Sequence, residues 1–262
     1  MLSGRAGPGT DIVRSVEAEA ETADLAARRA EVAASARPAD RARGLARLAL
    51  ALRAHGRFAE AADHAAAAGR IFARLGATEP AAMCRRLEDE TRLAKARADH
   101  DRAIALLGDA RSLPTALQVL RDVRPVFVRA RIPEAVATCA FNLAYVLQSL
   151  GCLDDAVEEL QQARSIFASL GREEDVAGCN QNLGVVLTEM GRYAEAEQQL
   201  RSARARFAAA NQVQFVAQCD ANLALVHRRW GDGRRAQEHE ELARRQGLDL
   251  ARLGPASSSF SR

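Results

Sequence analysis

Between Pro133 and Arg172 the apolar positions fall into two helical stripes separated by a turn. Val136, Ala140, Leu143, Ala144, Leu147 and Leu150 recur at helical spacing, and Ala156, Leu160, Ala163, Ile166 and Phe167 form the second stripe. Pro133 opens the first helix, where proline's missing N–H costs nothing. Gly151 predicts a left-handed stop at its end. Leu153-Asp154-Asp155 starts the second helix with acids near its positive N-terminal end. Neither helix is apolar all round, so each needs neighbours to bury its face. The pattern predicts a helix-turn-helix hairpin.

The hairpin is written again with a 40-residue period. Asn142-Leu143-Ala144, Asn182-Leu183-Gly184 and Asn222-Leu223-Ala224 are one motif in three places. Each is followed at fixed offsets by a glycine (Gly151, Gly191, Gly231) and an alanine (Ala156, Ala196, Ala236), and preceded by a cysteine (Cys139, Cys179, Cys219). A period of this size predicts stacked units in an all-α solenoid, in which each unit contacts its neighbours.

Five hairpins are expected over residues 38–246. The first covers about Pro38 to Ala77, with Gly56, Ala61, Phe72, Gly76 and Cys84 in frame. Cys84 to Cys139 spans 55 residues instead of 40, while Ala116, Leu120, Val123 and Phe127 stay in frame. The extra 15 residues therefore fall in the first helix of the second unit, about residues 80–107, as one long helix or a broken one. Its many charges suit a solvated protrusion or a docking surface. The fourth unit carries Leu187, Met190, Tyr193, Ala196, Leu200, Ala203 and Phe207. The fifth ends with the polar helix RRAQEHEELARRQ, suited to capping an array. Residues 11–37 predict an N-terminal capping helix with Ile12, Val16, Ala20, Ala23, Ala27, Ala30 and Ala34 facing inward. Residues 1–10 are expected to be a disordered N-terminus and 247–262 a flexible tail.

Composition narrows the picture. Aromatic residues are 4% of the chain, and alanine is abundant, which suits closely approaching helices better than one large aromatic core. The net charge is +3, and Lys95 is the only lysine among the basic residues. Arginine usage reflects either a coding bias or a phosphate-facing surface. Acids alternate with the arginines along most helices, so no global basic patch follows. The first ten residues lack an apolar export core and no long apolar run exists, so a cytoplasmic location away from membranes is expected.

Catalytic signatures are absent: no Gly-rich phosphate loop, no His-x-x-x-His, no Cys-x-x-Cys and no Gly-x-Ser-x-Gly occurs. No enzymatic activity, cofactor or metal is expected. A nucleic-acid partner is not expected either, for want of strong basic charge and stacking aromatics. The oligomeric state is not legible.

These units resemble tetratricopeptide repeats. The resemblance rests on Leu-Gly or Leu-Ala in the first helix, Gly at its end, an aromatic soon after (Tyr193, Phe58), then Ala and Ala again seven later, over about residues 38–246. The sequence departs from that family in its 40-residue period against the usual 34, in lacking an early tryptophan and in lacking the closing proline. The longer period with a repeated Asn-Leu-Ala/Gly resembles the repeats of kinesin light chains and related adaptors. The resemblance implies a right-handed α-solenoid whose first helices line a concave groove. It also implies that Asn142, Asn182 and Asn222 face that groove and bond a bound peptide's backbone; the alternative is that each amide is structural. Helical spacing from each Asn adds Thr138, Tyr145, Ser149, Gln181, Val185, Glu189, Gln218, Leu225 and Arg229 to the candidates. Of these, Tyr145, Gln181, Gln218 and Arg229 join the three Asn as the principal peptide-binding set. The implied function is a non-enzymatic scaffold for a protein or peptide partner. A sensory or regulatory repeat domain controlling a separate or fused effector, such as a protease or transcription regulator, is the alternative.

Four cysteines (Cys84, Cys139, Cys179, Cys219) share one place in the repeat. Equivalent residues in adjacent packed helices lie roughly 10 Å apart, too far for a disulfide or a shared metal. They are expected to be buried free thiols. Titration of native protein with Ellman's reagent should therefore label Cys152, just past a helix end, first. Fast labelling of Cys139, Cys179 and Cys219 would show the register to be wrong.

Overall fold

Every regular element of the computed structural model is helical; it describes residues 22–247. Eleven α-helices are found there: α1 (22–34), α2 (Pro38–Ala54), α3 (Phe58–Arg74), α4 (Thr78–Leu106), α5 (Leu113–Arg129), α6 (Pro133–Ser149), α7 (Leu153–Ser169), α8 (Glu173–Glu189), α9 (Tyr193–Ala209), α10 (Val213–Trp230) and α11 (Gly233–Arg245). A 3-10 turn, Ala110–Ser112, precedes α5. The chain divides into two compact units, Met1–Ala98 and Asp99–Arg262, and the division falls within α4.

In the first unit α2 packs on α3. Leu25 of α1 joins Leu48, Leu52 and Ala61 in one buried cluster. The alanine stripe expected to face inward is not the buried one. Ala23, Ala27, Ala30 and Ala34 are exposed, while Leu25 is buried and Arg28 and Val32 are half-buried. A leucine and a valine remove far more apolar area from water than alanines do, so the helix turns that stripe inward. The remaining members, Ile12, Val16 and Ala20, lie outside the described residues, as do the expected disordered N-terminus and most of the C-terminal tail. The long insertion is one unbroken helix, α4, of 29 residues. Its charges pair along its surface, as Arg92 with Glu88 at 2.6 Å and Arg102 with Asp99 at 3.1 Å.

In the second unit each helix from α6 to α11 packs on the one before it, and α8 also touches α10. The second helices bury the same four places: Ala116, Leu120, Val123 and Phe127 in α5, Ala156, Leu160, Ala163 and Phe167 in α7, and Ala196, Leu200, Ala203 and Phe207 in α9. Burying such a Leu or Phe is worth about 1.5–3 kcal/mol. The cysteines obey the frame. Cys84, Cys139, Cys179 and Cys219 are buried free thiols and Cys152 is exposed. Burial pushes the Cys139, Cys179 and Cys219 thiols up to about 12, so they stay protonated.

The turns explain the recurring glycine. At Gly151 (φ 79°) the Cys152 N–H reaches the Leu147 carbonyl at 2.9 Å and the Gly151 N–H reaches that of Gln148 at 2.9 Å. This double closure satisfies two orphan carbonyls at the helix end. Arg131 (φ 55°) and Asn211 (φ 58°) fill the same left-handed slot after α5 and α9.

Gly184 serves a different need. A Cβ there would lie 2.5 Å from Leu200 Cγ and 3.2 Å from the Ala196 carbonyl oxygen. Its equivalents Ala144 and Ala224 carry that carbon, so α8 sits unusually close on α9. Gly184→Ala gains about 1 kcal/mol of helix propensity but forces an overpacked contact costing roughly 1–3 kcal/mol. Chemical denaturation should find the variant less stable. A more stable variant would mean that the two helices have room to part.

Candidate binding face on the first helices

The second helices hold α6, α8 and α10 by one flank. The amides of Asn142, Asn182 and Asn222 occupy one equivalent slot on these three helices. They do not stand open. Their exposures are 6%, 2% and 5%, and Gln181 beside them is at 0%. The expectation of solvent-facing amides is thereby corrected, and the packing gives the reason. Neighbouring first helices crowd each other: Gln181 Oε1 accepts from the Cys219 thiol of α10 at 3.9 Å. At the other end the last turns of α4 close over α6.

That closure involves a specific pair. Asn142 Nδ2 lies 3.3 Å from His100 Nε2, and the His100 ring meets Phe127 edge-on at 5.9 Å. Burial lowers the pKa of His100, against the opposing pull of Asp101, so the neutral ring is favoured. A neutral ring nitrogen can accept from the amide. Tyr145 is half-buried and donates its hydroxyl to the Leu107 carbonyl at 3.5 Å.

The centre of the ladder differs. Gln181 Nε2, Asn182 Oδ1 and Asn222 Nδ2 are buried and find no hydrogen-bond partner among the described residues. A buried polar atom left unpaired costs about 1–3 kcal/mol. The three atoms comprise two donors and one acceptor on adjoining helices α8 and α10. Gln218 is half-buried and Arg229, seven residues beyond Asn222, is exposed. Along the rim Gln148 Nε2 donates to Glu189 Oε1 at 2.8 Å, linking α6 to α8. The structure thus gathers Gln181, Asn182 and Asn222 on two touching helices, while Asn142 and Tyr145 are already engaged by the α4 end of the unit.

A second polar ladder was not anticipated from the sequence. Arg124 of α5 reaches Glu159 of α7 at 2.7 Å. Forty residues on, Arg164 donates to Gln199 at 3.2 Å and to Asn180 at 3.3 Å. Forty further, Arg204 pairs with the fully buried Asp220 at 2.9 Å. His239, in the frame of Glu159 and Gln199, also meets Asp220 at 3.0 Å. Burial raises the Asp220 pKa, but the bonds from His239, Arg204 and Gln246 outweigh it, so the carboxyl titrates below its usual range. The signal was present as three arginines at the 40-residue period. Apolar periodicity does not detect it. A cleft of about 530 Å³ opens between Gly171–Asp175 and Phe207, Gln212 and Phe215. Its Glu173 and Asp175 are already paired, with Arg206 and Arg172.

Residues 136–209, which span α7, α8, α9 and most of α6, match the sequence profile of the tetratricopeptide repeat. That stretch carries tetratricopeptide repeats. No curated protein matches it in sequence. Among solved structures it is similar to a Pyrococcus horikoshii signal-transduction ATPase of numerous domains with a tetratricopeptide repeat sensor. That match has 11% identity and a TM-score of 0.52, and covers 83% of this chain and 32% of the other. A Rap protein complexed with competence and sporulation factor matches at 15% identity and TM-score 0.50, over 82% of this chain and 55% of that one. A kinesin light chain with nearly identical tetratricopeptide-like repeats, from Podosopora anserina, matches at 21% identity and TM-score 0.47, over 81% and 97%. The chain thus spans about half of the Rap protein and a third of the ATPase. At these identities the likeness concerns the fold. Among the described residues no helix is long and apolar enough to cross a membrane, and no group of three or more His, Cys, Asp or Glu side chains could hold a metal ion.

Asn182→Leu keeps the side-chain size and removes an unpartnered buried oxygen. It should raise stability by about 1 kcal/mol or more, read as a higher denaturation midpoint. A fall of that size would mean that the amide is a paired structural element.

Proposed function

We propose that this protein is a non-enzymatic interaction scaffold that holds an extended segment of a protein partner along α6, α8 and α10. The observation that carries the reading is the set of unpartnered buried atoms, Gln181 Nε2, Asn182 Oδ1 and Asn222 Nδ2. Natural proteins pair nearly all their buried polar groups, and unpaired ones are expected where a ligand will supply the partner. An extended peptide alternates carbonyl acceptors and N–H donors, which is the mixture these three atoms require. None of the three side chains is charged, so the face reads backbone more than side-chain charge. Tyr145 adds an amphipathic contact, and Gln218 and Arg229 add polar groups along α10. Access requires the amides to change rotamer, since they are covered in the free protein. The free state then resembles a spring held slightly open: the unpaired atoms destabilise it, and a ligand relieves that.

Selection of a displayed random-peptide library on the full chain tests this. Peptides that bind the natural protein should bind the triple variant Asn142→Ala, Asn182→Ala, Asn222→Ala at least about tenfold more weakly, the equivalent of losing roughly 1.4 kcal/mol of hydrogen bonding. The helical circular-dichroism signal should be unchanged. No enrichment over an unrelated helical control, or equal affinity for both proteins, contradicts the proposal.

A further inference from the structure

The last of the described helices, α11, departs from its equivalents. Where α9 buries Ala196, Leu200, Ala203 and Phe207, the same places 40 residues later hold Ala236, Glu240, Ala243 and Gly247. Only Ala236 and Ala243 of α11 are buried. The two large apolar anchors are gone, and polar contacts stand in their place. Glu240 pairs with Arg228 of α10. His239 Nδ1 lies 3.0 Å from Asp220 Oδ1, and Gln246 donates to Asp220 Oδ2 at 3.2 Å.

Beneath this helix lies His227 of α10. It is fully buried, and neither ring nitrogen has a hydrogen-bond partner among the described residues. Its ring is stacked on His239 of α11 at 5.6 Å and 7°, and on Trp230 at 6.3 Å and 6°. Charged groups face it from each side. Glu197 of α9 approaches Nε2 at 3.6 Å, but is itself bound to Arg201 at 2.6 Å. Asp232 at the start of α11 attracts a positive charge on His227, while His239 and Arg235 of α11 repel one. On α10 itself stand Asp220 and Arg228, already engaged by their partners.

We propose that α11 is an acid-released helix: the docked helix keeps His227 dry and neutral, and its departure lets the ring take up a proton from water. The chemistry is a single protonation of an imidazole nitrogen. Burial is the largest influence on His227 and lowers its pKa below the ordinary value of 6.5. The released helix leaves the ring hydrated, where it titrates near 6.5. The sign follows. At pH above about 6.5 neither state is protonated and docking is at full strength. As pH falls below that value the released state alone binds the proton, and release gains about tenfold per pH unit until the docked ring also titrates. Docking weakens only over that window. The inference does not depend on what the amides of α10 bind.

Hydrogen exchange by mass spectrometry on the full chain, at pH 7.5 and 5.5 and corrected for intrinsic rates, reads the release. Protection of residues 233–245 should fall about tenfold at the lower pH while α6–α9 keep theirs. Trp230, the chain's only tryptophan, reports locally. Its emission should titrate with the same midpoint as its stacked neighbour charges or leaves. His227→Phe keeps a flat ring and removes the proton site, so its α11 should stay equally protected at both pH values. His239→Gln installs the residue found at this place in α9 and leaves His227 intact, so acid release should persist. An α11 that keeps its protection at pH 5.5, a release unchanged in His227→Phe, or a release abolished in His239→Gln would each overturn the proposal.

Discussion

The contact on which the rest of this protein depends is a small residue of one helix seated against a large one of the next. In the fourth unit it reaches its limit, with Gly184 drawn so close to Leu200 that no Cβ fits between them. Repeated at a 40-residue period, this seating consumes the apolar stripe of every second helix and one flank of every first helix. Each unit is stabilised by the neighbours it touches, so the array needs no single large core. The alanine-rich, aromatic-poor composition is the chemical form of that constraint, because close approach and large side chains exclude one another.

Polar residues at fixed places of the frame then serve two ends. The arginines 124 and 164 lace successive second helices together through Glu159 and Gln199, and the arginines 164 and 204 tie second helices to the following first helices through Asn180 and Asp220. Those groups are satisfied. Gln181, Asn182 and Asn222 each keep a buried atom without a partner among the described residues, and this difference within one molecule separates a structural ladder from a candidate binding one. Where a frame place changes character, local stability changes with it. With Glu240 and Gly247 in place of Leu and Phe, α11 buries only Ala236 and Ala243 and leans on polar ties to Asp220 and Arg228.

The fold was legible because it is written in residues whose meaning is steric. Gly151, Gly191 and Gly231 all adopt the left-handed turn. The in-frame cysteines are all buried, and the 15-residue insertion is a longer helix. The inward stripe of α1 is not legible from periodicity alone, because the alanines match helical spacing as well as Leu25 and Val32 do, yet bury less area. The site was less legible. Periodicity places Asn142, Asn182 and Asn222 on one face but does not say how closely adjacent first helices crowd that face, nor that His100 would arrive from a helix lengthened by insertion to engage Asn142. Likewise the Arg204–Asp220–His239 cluster depends on contacts across three helices, which no single stripe encodes.

The central claim is that the unpaired amides of α8 and α10 are the atoms a peptide engages. The side-chain NH₂ resonances of Gln181, Asn182 and Asn222, followed by 15N-correlated NMR during titration with a library-selected peptide, test it most directly. All three should shift together and saturate at one stoichiometry, with Gln199 and Asn180 of the second polar ladder unchanged. Saturable binding that moves Gln199 or Asn180 and leaves Gln181, Asn182 and Asn222 in place would contradict the account.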